Sequence, residues 1–371
     1  MRFEFLSSTP ASPTEGSGTW VAIDGLVRGL ERLGHVVTCR ALGRRTGFHT
    51  LDRWLYNARV AAAPPAADVV VGVDLDGFMW AHRWIRRRSA FAGPPALAGR
   101  AKNPPTRFIV ALKGIIADEL TNERGVVRAL LGLQARWERL NTARADRVVV
   151  PSRYSASIAH QVYGVPAERL AVVPEPIDLA EWRRRFAGVD RPPRSSPTVL
   201  AVARMYPRKR LHDLLHAAAI LRERIPGTRV RIVGEGPESG RLRALHASLG
   251  LGETVTFLGD ISRQALAVEY VRADCFCLPT VQEGFGLVFA EAMAAGLAVV
   301  ACRAAAVPEI VEDRRTGLLV NRESPEELAM ALETLLTTPG LRAALGAAGA
   351  ARVAAFDLEP IARRFVEIAV A

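Results

Sequence analysis

Lysine is nearly missing from this 371-residue chain: there are three, Lys102, Lys113 and Lys209, against 46 arginines. Where arginine fills almost every cationic role, a remaining lysine marks a place where a compact ammonium differs from a planar guanidinium. Cysteine is scarce too. Four cysteines are too few for a disulfide scaffold, and Cys275 and Cys277 alternate within an apolar run, which fits one face of a buried strand better than a metal-binding pair. The longest apolar stretch, Ala292 to Cys302, is far shorter than the roughly 20 residues of a membrane span. The opening MRFEFLSSTP lacks the basic-then-apolar pattern of a secretory signal, so a cytoplasmic protein is expected.

What is present fits a folded protein. Hydrophobic residues make up 49% and charged residues 23%, which excludes disordered and collagen-like classes. At about 150 residues per domain the length suits two or three domains. The net charge of +11 is uneven: residues up to Asp178 hold 24 basic and 16 acidic side chains, and those after it 25 and 22. Such a bias suits an anionic partner, whether a phosphorylated substrate, a membrane surface or a nucleic acid.

Short β-branched runs alternate with helical patterns, which predicts doubly wound parallel sheets. The first series has strands at 3–6, 36–39, 69–73, 108–112, 148–150 and 171–173, with a helix over 19–33. A proline-rich break from Pro174 to Pro197, around a short charged helix, reads as an interdomain linker, its core at 179–197. A second series follows, with strands at 198–203, 229–233, 254–258, 274–278, 297–301 and 317–320. The expected domains are therefore 1–178 and 198–356, with a last helix within 357–371 crossing back onto the first. Ser324, Pro325 and Glu327 predict a helix N-cap, a first-turn proline and a capping-box partner. Ligands of open α/β sheets bind outside the carboxyl ends of the strands, so chemistry is sought on those loops.

The most informative stretch is PTVQEGFGLVFAEAMAAGLAVVAC. Glu283 falls on a loop at a strand's carboxyl end, while Gly284 and Gly286 let backbone approach a ligand and leave helix-start amides for an anion. Glu291 lies about two helical turns further on. Two carboxylates beside an anion site would repel phosphate and suit the hydroxyls attached to it; the alternative is a solvated helix face. Arg204 and Lys209 follow the first strand of the second series, where a guanidinium fork and a point charge together neutralise a diphosphate. Neighbouring Arg208 and Arg210 leave an exposed basic helix start as the competing reading. In the first domain, Glu15-Gly16-Ser17-Gly18-Thr19 precedes a helix as a phosphate-cradling or merely flexible loop. It is neither GxGxxG nor a P-loop, which argues against a dehydrogenase and an ATPase.

Arg204 to Lys209, GEGP at 234–237, VTFLGDIS, EGFGLVFAEAMAAGLAVVA and VPEIVEDRRTGLLV together resemble the retaining glycosyltransferases of family 4, which have the GT-B fold. The first domain is similar to the family more weakly, through EGSGT, LERLGHVV, ADRVVVPSRYSA and VVPEPIDL. The resemblance implies an acceptor-binding first domain and a second domain binding a nucleotide-diphosphate-sugar, UDP- or GDP-linked. It places Arg204 and Lys209 on the donor diphosphate, Glu283 on the sugar hydroxyls and Glu291 on the ribose. Backbone of Gly284, Phe285, Gly286 and Leu287 would touch phosphate or sugar, Gly259, Asp260 and Ile261 would line the base, and Gly16 and Gly18 would approach the phosphate. It implies no cofactor and no metal, the paired cations replacing a divalent ion.

One departure stands out. Many relatives carry a histidine after the strand at 108–112, whereas Lys113 stands here, either as a donor or acceptor contact with Arg204, Lys209 and Glu283 in the catalytic set or as a solvated loop lysine. Asp118 and Glu119 are acidic candidates nearby. Asp74-Leu75-Asp76 has the spacing of a metal-binding DxD of another transferase architecture, but is read as two acceptor-binding residues. Phe78, Met79, Trp80, Trp84 and Ile85 interleave with Arg83, Arg86, Arg87 and Arg88, a mixture that docks on anionic membrane or forms an amphipathic helix with a buried aromatic face. No RNA-module motif accompanies it, so nucleic acid is not expected. The expected function is retaining hexosyl transfer to a hydroxyl acceptor in glycan, glycolipid or natural-product synthesis. The competing reading is an inactive nucleotide- or glycan-binding protein, prompted by the missing histidine.

Overall fold

The structure, a computed structural model, describes residues 1–9, 18–43, 46–82, 106–122, 124–190 and 196–371. It divides into two compact units, Met1–Pro176 with Leu358–Ala371, and Ile177–Asp357.

In the first unit, β1 (Arg2–Ser7), β2 (Val36–Ala41), β3 (Val69–Val73), β4 (Arg107–Ala111), β5 (Arg147–Val150) and β6 (Leu170–Val172) form one parallel sheet in the order β2-β1-β3-β4-β5-β6. Its inner strands are continuous apolar runs because both faces are covered. Alternation along each strand splits them between two cores. Phe3, Phe5, Val69, Val71 and Ile109 face one way, and Leu6, Val70, Phe108 and Val110 the other.

Helices of eight or more residues flank this sheet: α1 (Gly18–Arg32), α2 (His49–Ala62), α3 (Gly125–Arg144) and α4 (Arg153–Tyr163). The last helix of the chain, Leu358–Val370, belongs here as well. Its Phe365 stacks on Phe5 with ring centroids 6.3 Å apart, within a core shared with Ile23, Leu26 and Leu30 of α1.

The second unit holds β7 (Thr198–Val202), β8 (Arg229–Val233), β9 (Val255–Gly259), β10 (Cys275–Leu278), β11 (Ala298–Cys302) and β12 (Gly317–Val320), parallel in the order β12-β11-β10-β7-β8-β9. Its longer helices are α5 (Leu179–Ala187), α6 (Leu211–Arg224), α7 (Ser239–Ser248), α8 (Arg263–Arg272), α9 (Leu287–Ala294), α10 (Pro325–Thr337) and α11 (Pro339–Arg352); Leu358–Val370 is then α12. Cys275 and Cys277 are free, buried thiols in β10.

Two local expectations are corrected. The stretch read as a linker carries α5, whose Leu179 and Trp182 are buried, with Trp182 edge-on to Tyr270 at 5.6 Å. An apolar face hidden in a charged sequence makes that stretch part of the second core. Pro325 does open α10, but Ser324 makes no side-chain cap. Glu327 turns away instead, its two oxygens accepting from the backbone and side-chain nitrogens of Asn321 at 2.9 Å each.

Strand order reverses between β1 and β3 in one sheet and between β7 and β10 in the other. Loops diverge to opposite faces at such points and open a crevice at the carboxyl edge. Most residues singled out above lie beside these two places.

Candidate functional site

Beyond β7 the chain passes Arg204 and Met205 and is braced by the loop after β8. The Met205 amide donates to the Glu235 carbonyl at 3.0 Å, and the Met205 carbonyl accepts from the Glu238 amide at 2.9 Å. Gly234 makes this approach possible: at φ +112° a Cβ there would lie 2.2 Å from the Ala203 carbonyl oxygen. So held, Arg204 projects an exposed side chain that makes no ion pair among the described residues.

The cations that follow have separate fates. Arg210 is committed to Asp213 at 2.6 and 3.1 Å and reaches Glu323 at 3.1 Å. Arg208 lies 4.6 Å over the Tyr206 ring, and its carbonyl accepts from Thr280 Oγ1 and the Val281 amide at 3.2 and 3.0 Å. Those bonds fasten the loop after β7 to the loop after β10. Lys209 completes the junction, Nζ donating to Oε1 of Glu283, with the two side chains only 14% and 12% exposed.

From Glu283 the chain turns into α9 through Gly286, at φ +94°, where a Cβ would lie 2.6 Å from the Phe289 ring. No side chain caps this helix start. Phe285 points into the core, edge-on to Phe356 at 5.2 Å, so only its backbone remains for a ligand. Glu291, buried on α9, accepts from the Tyr270 hydroxyl at 2.9 Å. Burial pushes its carboxyl up to about 7, against the opposing pull of Tyr270 and Arg263. Gly259 accepts from the Gly234 amide at 2.8 Å, which sets Asp260 and Ile261 beside the GEGP loop. Arg204, Lys209, Glu283 and the 259–261 segment thus converge on loops at one sheet edge. Tyr270, which orients Glu291, gave no sequence signal beyond an ordinary helical aromatic.

In the first unit Lys113 follows β4. Its Nζ donates to Oε2 of Glu175 at 2.6 Å, the two side chains 10% and 7% exposed, and its amide donates to Oδ1 of Asp74 at 2.8 Å. Burial raises the carboxyls of both Asp74 and Glu175, and the Lys113 charge opposes that rise. Asp74 sits at φ 54°, an uncommon conformation for a residue with a side chain. Glu175 was hidden from sequence reasoning inside the Pro174-Glu175-Pro176 break.

Asp76 is a correction. It is 2% exposed, and its oxygens accept from the Ser8 amide and hydroxyl at 2.5 and 2.8 Å and from Asn57 Nδ2 at 3.0 Å. Burial raises its carboxyl to about 6. This side chain ties the ends of β1 and β3 together, and its burial turns it away from an acceptor. Asp118 is half-buried and accepts from the Tyr154 hydroxyl at 3.2 Å. Gly18 opens α1 with no atom within 4 Å of where a Cβ would stand, while Gly16 lies outside the described residues.

The segment 78–88 is corrected where it is described. Phe78 stacks on Trp137 at 5.3 Å and Trp80 meets Phe108 edge-on at 5.2 Å, both buried, so these aromatics serve the core. Residues 83–88 lie outside the described set. Among the described residues no helix is long and apolar enough to cross a membrane.

Comparison with known proteins agrees with this layout. Residues 184–352 match the model of glycosyl transferases group 1, and residues 16–181 that of glycosyltransferase family 4. A GDP-mannose-dependent alpha-(1-6)-phosphatidylinositol monomannoside mannosyltransferase of Mycolicibacterium smegmatis is 33% identical over 65% of this chain and 68% of its own length. A D-inositol 3-phosphate glycosyltransferase of Rhodococcus erythropolis is 34% identical over 61% of this chain and 53% of its own length. Several of the curated relatives are thus matched over about half their length. In fold, sucrose-phosphate synthase from Thermosynechococcus elongatus superposes with a TM-score of 0.76 at 22% identity, covering 99% of this chain and 97% of that one. The lipopolysaccharide glycosyltransferase WaaG gives 0.73 at 18% identity over the whole of both chains. Two parallel-sheet units, the matched models and the mycobacterial relative together make this chain a member of the family 4, group 1 glycosyltransferases, with the GT-B fold.

Proposed function

We propose that the protein is a retaining hexosyltransferase that takes its sugar from a nucleoside-diphosphate donor and passes it to a hydroxyl acceptor without a metal ion. The observation that carries this reading is the grouping of Arg204, Lys209, Glu283 and the uncapped start of α9 at the strand-order reversal of the second sheet. An exposed guanidinium and a lysine held at the same edge suit a diphosphate, and Glu283 suits the hydroxyls of the attached sugar. GDP-linked hexose is the donor of choice, because the mycobacterial relatives are named as GDP-mannose-dependent.

In the reaction, the bond between the anomeric carbon and the donor phosphate oxygen breaks, its electron pair leaving with the diphosphate. Arg204, Lys209 and the helix-start amides stabilise the charge that develops there. The acceptor oxygen bonds to the same face of the sugar, and its proton passes to a donor phosphate oxygen. Lys113, fixed by Glu175 and Asp74, is the first unit's contact to donor or acceptor.

Melting temperatures with GDP, UDP, ADP and CDP and their sugar conjugates test the donor assignment, since a ligand specific for the native state raises the transition. A shift confined to the guanine series supports it. No shift with any nucleotide refutes it.

A further inference from the structure

Two helices of the first unit turn apolar side chains to solvent. Every residue from 124 to 130 is exposed, so the first turns of α3 stand clear of the packed unit, with Val126 75% exposed and Val127, Leu130 and Leu133 exposed beside it. Phe48, which precedes α2, is also 75% exposed, and Leu51 and Trp54 follow it. The two sets are neighbours: Gln134 of α3 donates to Thr50 Oγ1 at 2.7 Å and accepts from Arg53 at 3.2 Å. Helices that join parallel strands start at the carboxyl edge of the sheet. The patch therefore shares an edge with Lys113 and Asp74.

The exposed charges on the two helices themselves have one sign. Arg128, Arg136 and Arg139 are exposed on α3, and its one acid, Glu138, is fully buried. On α2 Arg59 is exposed and Arg53 half-buried, while its one acid, Asp52, is buried. Neither helix shows an acid to solvent.

We propose that this α2–α3 face docks on an anionic lipid surface. Valine, leucine, phenylalanine and tryptophan side chains enter the headgroup boundary, and the arginines lay their stems along it with guanidiniums among the phosphates. A second copy of the chain fits poorly. A two-fold contact through this face would press arginine against arginine with no exposed acid on either helix to pair with them. Docking brings the carboxyl edge of the first sheet to the headgroups, so that a lipid-anchored hydroxyl reaches the Lys113 side. That consequence rests on the transferase reading; the docking itself does not.

The test is co-sedimentation with vesicles of phosphatidylcholine alone and of phosphatidylcholine with phosphatidylglycerol. Two variants are compared at matched melting temperature, Val127→Glu with Leu130→Glu, and Arg128→Glu with Arg136→Glu. All four positions are exposed, so neither pair disturbs the core. The wild type is expected to pellet only with the anionic vesicles, and each variant to lose about tenfold or more in partitioning. A wild type that stays in solution, variants that partition like it, or a solution dimer dissolved by Leu130→Glu overturns the proposal. Nucleotide-induced melting shifts in the same samples report on the donor site separately, so either reading can fail while the other stands.

Discussion

Lys209 Nζ donates to Glu283 Oε1, joining the loop after β7 to the loop after β10 across the point where the second sheet reverses its strand order. In the proposed reaction the same lysine faces the donor diphosphate and the same glutamate the donor sugar. The pair must therefore loosen when donor enters, and the carboxylate competes with phosphate for the ammonium.

Glu283→Gln removes that competition without removing the hydrogen-bonding shape. Transfer should fall by about a hundredfold or more, the scale of a lost transition-state contact. Affinity for the nucleoside diphosphate without sugar should stay or rise, because Lys209 is released. Calorimetric titration decides it: a weakened nucleotide would mean that Glu283 holds the site together structurally.

Arg204 is exposed and makes no ion pair among the described residues, so its replacement leaves no buried charge behind. Arg204→Ala should leave the melting temperature of the free protein unchanged and weaken diphosphate binding by about 1.5 to 3 kcal/mol, as for a hydrogen bond to a charged group. Unchanged affinity removes Arg204 from the donor site.

The Lys113–Glu175 pair behaves differently because it is buried. Lys113→Met strands the Glu175 carboxylate, a loss of about 3 to 5 kcal/mol for a buried pair broken on one side. Adding Glu175→Gln should restore most of the stability and none of the turnover. If turnover returns with stability, Lys113 is a structural cation and not a substrate contact.

Glu291 sets a pH dependence. Its carboxyl is raised from an ordinary 4.5 to about 7 by burial, so between those values the folded protein holds the proton that the unfolded chain has lost. Stability contributed there falls as pH rises through that window, by about 3 kcal/mol in all. Glu291→Gln keeps an acceptor for the Tyr270 hydroxyl and removes the slope. Melting curves of the variant and wild type should coincide near pH 4.5 and separate, variant higher, above pH 7. A constant offset at every pH would contradict a neutral buried carboxyl.

Much of the fold can be read in the sequence because both sheets are covered on both faces. Val69–Val73, Arg229–Val233 and Gly317–Val320 stand where their apolar runs place them. The loops that carry the proposed donor contacts are legible for a related reason: glycines that permit close backbone contact, such as Gly286 and Gly234, punctuate the loops after strands. What was not legible is which partner a charged side chain takes. Lys209 and Glu283 are far apart in the chain and were read as two separate ligand contacts, yet they bond each other. Glu175 is concealed between two prolines and the burial of Asp76 behind a DxD spacing, because sequence does not show burial of a single polar side chain. For Phe78 and Trp80, period alone did not say whether the aromatic face met lipid or the sheet.

In the proposed reaction the sugar leaves the diphosphate and keeps its anomeric configuration. This is tested most directly by following the anomeric proton during turnover of an α-linked GDP-hexose, using slow transfer to water where no acceptor is supplied. The α anomer should be released first, and Glu283→Gln should abolish the signal. Release of the β anomer first, or a donor left intact by a protein that binds it, would contradict it.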